Sequence, residues 1–224
     1  APAVEQGARL ATGMQDAVRN ADIVFTMLPA TQHVKDALLG KNGVTDTMPK
    51  GGIIVDLSTI SATGSDEIGA ACRDRGFTYI DSPVGRLVIH AVKGESLFMV
   101  GCDDDDAFDT IKPLLDKMGT TIYRTGGPGT GTRAKIVNNY MILSIAQITT
   151  EGLLLAAKLG LDIDLVKEIN GATTGTNGQF QVNFASKVLK GDVEPGFTVD
   201  LATKDISLAL EAAAAFRIGL PVGS

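Results

Sequence analysis

The chain has 224 residues, 44% hydrophobic and 21% charged, with a formal net charge of −6. This is globular usage, enough for one or two domains with real cores, and its acidic balance offers no basic face to nucleic acid or to an anionic membrane. Two scattered cysteines (Cys72, Cys102) and two histidines (His33, His90) match no metal spacing, so no metal is expected and the thiols read as reduced packing residues of a cytoplasmic protein; no secretory signal opens the chain, and no run approaches the roughly 20 apolar residues of a membrane span without polar interruption.

The chain starts on Ala1, residues 3–8 read as the tail of a helix closed by Gly7, and the chain stops at "LPVGS" (220–224) where a further element is expected, so both ends are expected to be cut. "ADIVFTML" (21–28) is an apolar strand stopped by Pro29, and "TQHVKDALLG" has helical spacing and a glycine stop. "GGIIVDLST" (51–59) is the next strand, followed by a capped helix in "SATGSDEIGAACRDRG" and the strand "FTYID". Strands alternating with helices predict a parallel sheet covered on both faces, with ligands at the carboxyl ends of the strands. Ser58, Thr59, Asp81, Ser82 and Arg86 follow apolar strand runs and so fall in that crevice.

Between the apolar runs at 77–80 and 97–100 lies "DSPVGRLVIHAVKGES", where Arg86 follows Gly85 at a strand break. From position alone this arginine is either a solvated loop residue or the grip on an anionic ligand. The acidic run "CDDDDAFD" (102–109) lacks the glycine and final glutamate of a calcium loop and suits a helix N-terminus. "TGGPGTGTRAK" (125–135) then marks a domain junction or a flexible loop. A long helix of about 28 residues follows, apolar on most sides and ending at Gly160, as expected of the central helix of an all-α domain. Conspicuous among its polar residues are Lys135, Asn138, Asn139, Gln147 and Glu151, with Lys135 and Asn139 one turn apart on one face. "DLVKEIN", "QVNFASKVLKG" and "TVDLATKDISLALEAAAAFRIG" read as further helices. The expected architecture is a Rossmann-type α/β dinucleotide-binding domain over residues 1–127, its N-terminal part missing, and an all-α domain for substrate and oligomerisation over 128–224.

The collinear series MLP (27–29), DLST (56–59), DSPVG (81–85), the glycines at 129–131, AKIVNN (134–139) and LATKD (201–205) resembles the β-hydroxyacid dehydrogenase family, which includes 3-hydroxyisobutyrate dehydrogenase and tartronate semialdehyde reductase. The resemblance spans essentially the whole chain. It implies NAD or NADP as cofactor, NAD favoured, a small anionic aldehyde or hydroxyacid as substrate, and a homodimer or homotetramer. Most of the family would show Ser-Gly-Gly where this chain has Gly85-Arg86-Leu87. That departure, with the later GGPGTGTRAKIVNNYM, looks like the sulfolactaldehyde reductase branch, in which the arginine holds a sulfonate. The implied reaction is reduction of 3-sulfolactaldehyde to 2,3-dihydroxypropane-1-sulfonate, with 3-hydroxyisobutyrate and tartronate semialdehyde as rival substrates. Leu87 and Val88 stand where that branch could carry small hydroxyl residues.

By the same resemblance Lys135 is the catalytic residue. An ammonium beside a carbonyl stabilises the developing alkoxide and can donate the proton, whereas an ordinary lysine early in a helix snorkels to solvent. Arg86, Gly85, Asn139 and Asn138 are candidate substrate residues. Leu28, Pro29, Thr59 and Lys204 are candidate cofactor residues; their bland readings are strand termination, helix capping and a solvated Lys-Asp pair. No G-x-G-x-x-G follows a first strand in the chain. A catalytically idle dinucleotide-binding sensor or assembly module is the non-enzyme alternative, which Lys135 and Asn139 disfavour.

Overall fold

In a computed structural model, which describes residues 2–223, the chain divides into two compact units, Ala1–Lys135 and Ile136–Ser224. Each is described by itself.

The first unit begins with two short helices, α1 (Pro2–Glu5) and α2 (Met14–Val18). There follow β1 (Ile23–Thr26), α3 (Thr31–Leu39), α4 (Val44–Thr47), β2 (Ile53–Asp56), α5 (Ala62–Asp74) and β3 (Thr78–Asp81). β1, β2 and β3 pair in parallel, with Thr26 opposite Asp56 and Asp56 opposite Asp81 at their carboxyl ends. Side chains alternate across the sheet, so neighbouring residues of one apolar run enter different cores. Ile54 and Tyr79 pack with Val34 and Leu38 of α3 and Ile68 and Cys72 of α5 on one face. Val55 and Ile80 pack on the other with Phe98, Val100, Ile111 and Leu115.

The expectation of a wholly parallel sheet is corrected beyond β3. β4 (Val84–Gly85) doubles back on β5 (Ser96–Gly101) with Val84 opposite Phe98, and β5 also meets Asp81 of β3 antiparallel. The connection holds only α6 (Val88–Val92), five residues long and too short for the crossover that a parallel return needs. Helix α7 (Asp105–Met118) is capped by the Asp104 side chain, as the acidic run suggested, and leads into β6 (Gly119–Gly126). β6 pairs parallel to β5 and had no counterpart among the strands expected from sequence, because "GTTIYRTG" is largely polar and only partly buried.

Helix α8 (Thr130–Lys158) has 29 residues and starts three residues before the expected point. By length and composition alone it could cross a membrane, with Asn138, Asn139, Ser144, Gln147 and Glu151 interrupting its apolar residues as the sequence showed. It is also not the buried central helix that its composition suggested. Ile136, Asn139, Thr149 and Ala156 are buried, whereas Val137, Met141, Ile142, Ile148, Leu154 and Leu155 are exposed. The second unit continues with α9 (Ile163–Gly171) and α10 (Val199–Ala215). Between them "QVNFASKVLKG" forms a π-helical turn (Gln179–Phe184) and a 3-10 turn (Val188–Lys190) instead of one helix.

Candidate functional site

The second and third strands each end in a buried acid. Asp56 Oδ1 accepts Thr26 Oγ1 at 2.8 Å, Ser58 Oγ at 2.5 Å and Ser58 N at 3.1 Å, and Oδ2 accepts Tyr79 OH at 3.2 Å. Ser58 Oγ in turn accepts the Leu28 N–H at 2.8 Å. One carboxylate therefore fixes the backbone after β1, where Leu28 and Pro29 lie, to the backbone after β2, where Thr59 lies. Burial pushes the Asp56 carboxyl above its ordinary range despite these donors, and pushes the Tyr79 phenol well up.

Asp81, the last residue of β3 and 1% exposed, does the same for α8. Its Oδ1 accepts the Gly129 N–H and its Oδ2 the Thr132 N–H, both at 2.6 Å. The turn is held further by Thr132 Oγ1 on Ser65 Oγ at 3.3 Å and by the Arg133 fork on Asp66 at 3.0 and 2.7 Å. The glycines of "GPGTG" serve this junction: Gly129 has φ 84°, and a Cβ on Gly131 would stand 2.1 Å from the Met99 carbonyl oxygen. Lys135 follows on the next turn, 8% exposed, so it is not a snorkelling surface lysine. Next to Asp81, the Ser82 hydroxyl is fully buried and makes no hydrogen bond among the described residues.

Arg86 has φ 72°, the left-handed region that favours glycine. Its Nη1 donates to the Glu95 carbonyl and, at 2.8 Å, to Thr120 Oγ1, and its Nη2 donates to Thr121 Oγ1 at 3.1 Å. The side chain is exposed and turned toward the start of β6. These bonds engage three of the five guanidinium N–H groups. Gly85 pairs with Leu97 in the β4–β5 ladder, and a Cβ there would lie 3.2 Å from the Leu97 side chain. Leu87 and Val88, which follow, are exposed.

In the second unit Asn139 Nδ2 donates to Asp205 Oδ2 at 2.5 Å, and Lys204 Nζ lies 2.9 Å from Asp205 Oδ1 in an ion pair that falls short of hydrogen-bond geometry. Asn138 Nδ2 approaches Asn139 Oδ1 at 3.4 Å. The structure thus brings Asn139 and Lys204 together on one buried carboxylate that sequence reasoning passed over as half of a solvated pair. Asp56 was visible only as the acid closing the strand "IIVD"; Asp81 of "TYID", which its place after an apolar strand put in the ligand crevice, is a buried cap on the start of α8.

Residues 1–127 match the profile described as the NAD binding domain of 6-phosphogluconate dehydrogenase, and residues 129–224 the one described as NAD-binding of NADP-dependent 3-hydroxyisobutyrate dehydrogenase. The chain is 33% identical over 221 residues to the 3-sulfolactaldehyde reductase of Escherichia coli K12, covering 99% of this chain and 74% of that protein. The chain belongs to the β-hydroxyacid dehydrogenase family. As a member it is an NAD(P)-dependent oxidoreductase, and its relatives by name act on small hydroxyacids or semialdehydes. The NAD-dependent L-serine dehydrogenase of Pseudomonas aeruginosa is 35% identical over 227 residues, covering 99% of this chain and 76% of that one. The structure of Mycobacterium tuberculosis 3-hydroxyisobutyrate dehydrogenase with L-serine superposes with a TM-score of 0.91 at 30% identity, over 99% of this chain and 77% of that chain.

The cofactor is NAD or NADP, and the carboxyl ends of the first strands fit it. A dinucleotide lies across such ends in doubly wound sheets. Here the backbone after β1 and β2 is tied together by Asp56 and Ser58, while Met27 and Pro29 are exposed and Leu28 and Thr59 keep partial exposure. The Ser82 hydroxyl at the neighbouring strand end keeps hydrogen-bonding capacity that no described residue uses.

Proposed function

We propose that the enzyme reduces a small anionic semialdehyde, 3-sulfolactaldehyde to 2,3-dihydroxypropane-1-sulfonate, with residues 1–127 serving the cofactor and 128–224 the substrate and assembly. The observation that carries the reading is the burial of Lys135 on a helix turn whose placement is fixed by Asp81, Ser65 and Asp66. Reduced nicotinamide, when bound, supplies the hydride. Lys135 stabilises the alkoxide developing on the aldehyde oxygen and gives it the proton. Asn139, with one amide hydrogen committed to Asp205, keeps its remaining amide capacity to orient the substrate; Asn138 supports it. Arg86 presents the remaining N–H groups of its guanidinium, backed by Gly85, to the anionic head. Leu28, Pro29, Thr59 and Lys204 serve the cofactor side. A homodimer or homotetramer in the cytoplasm fits the exposed apolar residues of α8 and the free, buried cysteines.

A second reading, 3-hydroxyisobutyrate or tartronate semialdehyde chemistry, is favoured by one observation: Leu87 and Val88 place exposed apolar groups beside Arg86 where a sulfonate would want donors. Reductase assays with sulfolactaldehyde, the semialdehyde of 3-hydroxyisobutyrate and tartronate semialdehyde, each with NADH and NADPH, separate the readings. The highest kcat/KM on sulfolactaldehyde is expected; a preference for either carboxylate substrate would displace the first reading in favour of the second.

A further inference from the structure

We propose that Asp81 is a positioning residue for Lys135, acting through the first turn of α8; this rests on the reading of Lys135 as proton donor. A helix normally caps its first N–H groups with the side chain of its own N-cap residue. Here the residue before Thr130 is Gly129, which has no side chain to offer, and its φ of 84° is not the extended conformation usual at that position. The capping is done from another element. Asp81, 48 residues away from Gly129 in sequence, takes that residue's N–H on one oxygen and the Thr132 N–H on the other, each at 2.6 Å. A capping box satisfies the N-cap and N3 donors with two side chains. One strand-end carboxylate satisfies both here.

The short bonds are charge-assisted, and the negative charge faces the positive end of a long helix dipole. Gly131 lets the turn press against β5, since any Cβ there would meet the Met99 and Asp81 carbonyl oxygens at 2.1 and 2.8 Å. Lys135 lies three residues beyond Thr132, about 4.5 Å along the axis. A nearly buried lysine has little freedom to compensate if that turn shifts. Misplacing a reacting group by about 1 Å can lower turnover about a hundredfold.

The test is Asp81→Asn in the enzyme, whose amide must turn its NH2 toward one of the two N–H groups. Active sites are counted by stoichiometric binding of reduced cofactor, so misfolded protein does not enter kcat. We expect kcat to fall about 10- to 100-fold and cofactor Kd to stay within about threefold. The primary isotope effect with 4-deuterated cofactor should rise as the chemical step becomes limiting. In a Lys135→Ala background the same substitution should remove nothing further, because a residue acting through Lys135 has nothing left to act on. An additive loss in the double variant, or a lowered Tm with unchanged kcat and isotope effect, overturns the inference. If Asp81→Asn gives no cofactor-binding protein, Gly131→Ala displaces the same turn and is held to the same outcomes. Full turnover in Lys135→Ala alone would overturn the Lys135 reading itself, whereas loss there with none in Asp81→Asn overturns only the role of Asp81.

Discussion

Replacing Arg86 separates the charge it offers a substrate from the bonds it makes inside the protein. Its guanidinium ties the segment after β4 to the Glu95 carbonyl and the hydroxyls of Thr120 and Thr121, and its backbone sits at φ 72°. A left-handed backbone costs a residue with a Cβ about 1 to 2 kcal/mol, and glycine almost nothing. Arg86→Gly therefore relieves strain while losing three exposed bonds, so its net stability change should stay within about 1 kcal/mol. Arg86→Ala keeps the strain, loses the same bonds, and should melt lower than Arg86→Gly. Both lose the charge-assisted contact to an anionic head, about 1.5 to 3 kcal/mol, or roughly 10- to 150-fold in kcat/KM. A neutral aldehyde of similar size should change little, and Arg86→Lys should recover only part of the loss because an ammonium lacks the planar fork. Thr120→Val with Thr121→Val breaks two of the internal bonds without touching the charge and should preserve the preference for the anionic substrate. Equal losses on charged and neutral aldehydes, matched by the double threonine variant, would show that Arg86 only braces its loop.

Lys135→Ala should lower turnover by about a hundredfold or more with cofactor affinity nearly unchanged, read from single-turnover rates and cofactor titration. Asp56→Asn keeps an acceptor for Thr26 and Ser58 when its NH2 faces Tyr79 OH, which must then turn from donor to acceptor, so the cost in urea unfolding at neutral pH should be about 1 kcal/mol. Burial raises the native pKa of Asp56 above the ordinary 3.8, so the folded state holds this proton more tightly than the unfolded chain does. Its contribution is largest below the unfolded value and declines as pH rises through the raised one, so the stability gap between parent and Asp56→Asn should narrow with rising pH; a gap that widens contradicts the assignment. Cys72, fully buried with its thiol pushed up to about 12 by desolvation, should resist thiol reagents at pH 8 in the native protein and react fully in urea.

The α/β alternation was legible because β2 and β3 are largely buried on both faces, α3 stops at Gly40 and α5 starts on the polar cap Ser61. What escaped was non-local. The reversal of β5 depends on how much chain α6 leaves in the connection, and β6 is stabilised by pairing with β5 more than by its own apolar content. The candidate residues of the site could be named from strand ends and the helix face, but not their partners. Nothing in "TYID" says that its acid caps a helix beginning at Thr130, or in "TKD" that the aspartate reaches Asn139 across 66 residues of chain. Those contacts are fixed by tertiary placement, to which local pattern is blind. Arg86 is the reverse case: its place beside glycine drew notice, while its left-handed backbone and its bonds to Thr120 and Thr121 belong only to the folded chain.

That left-handed arginine also makes the segment after β4 unusual in what relaxes it. Its backbone sits where glycine is favoured, and its side chain ties that segment to the chain before β5, at Glu95, and to the start of β6, at Thr120 and Thr121. Substitution at this one position therefore acts through two opposed effects, relief of the backbone and release of the tether, and glycine alone obtains the first.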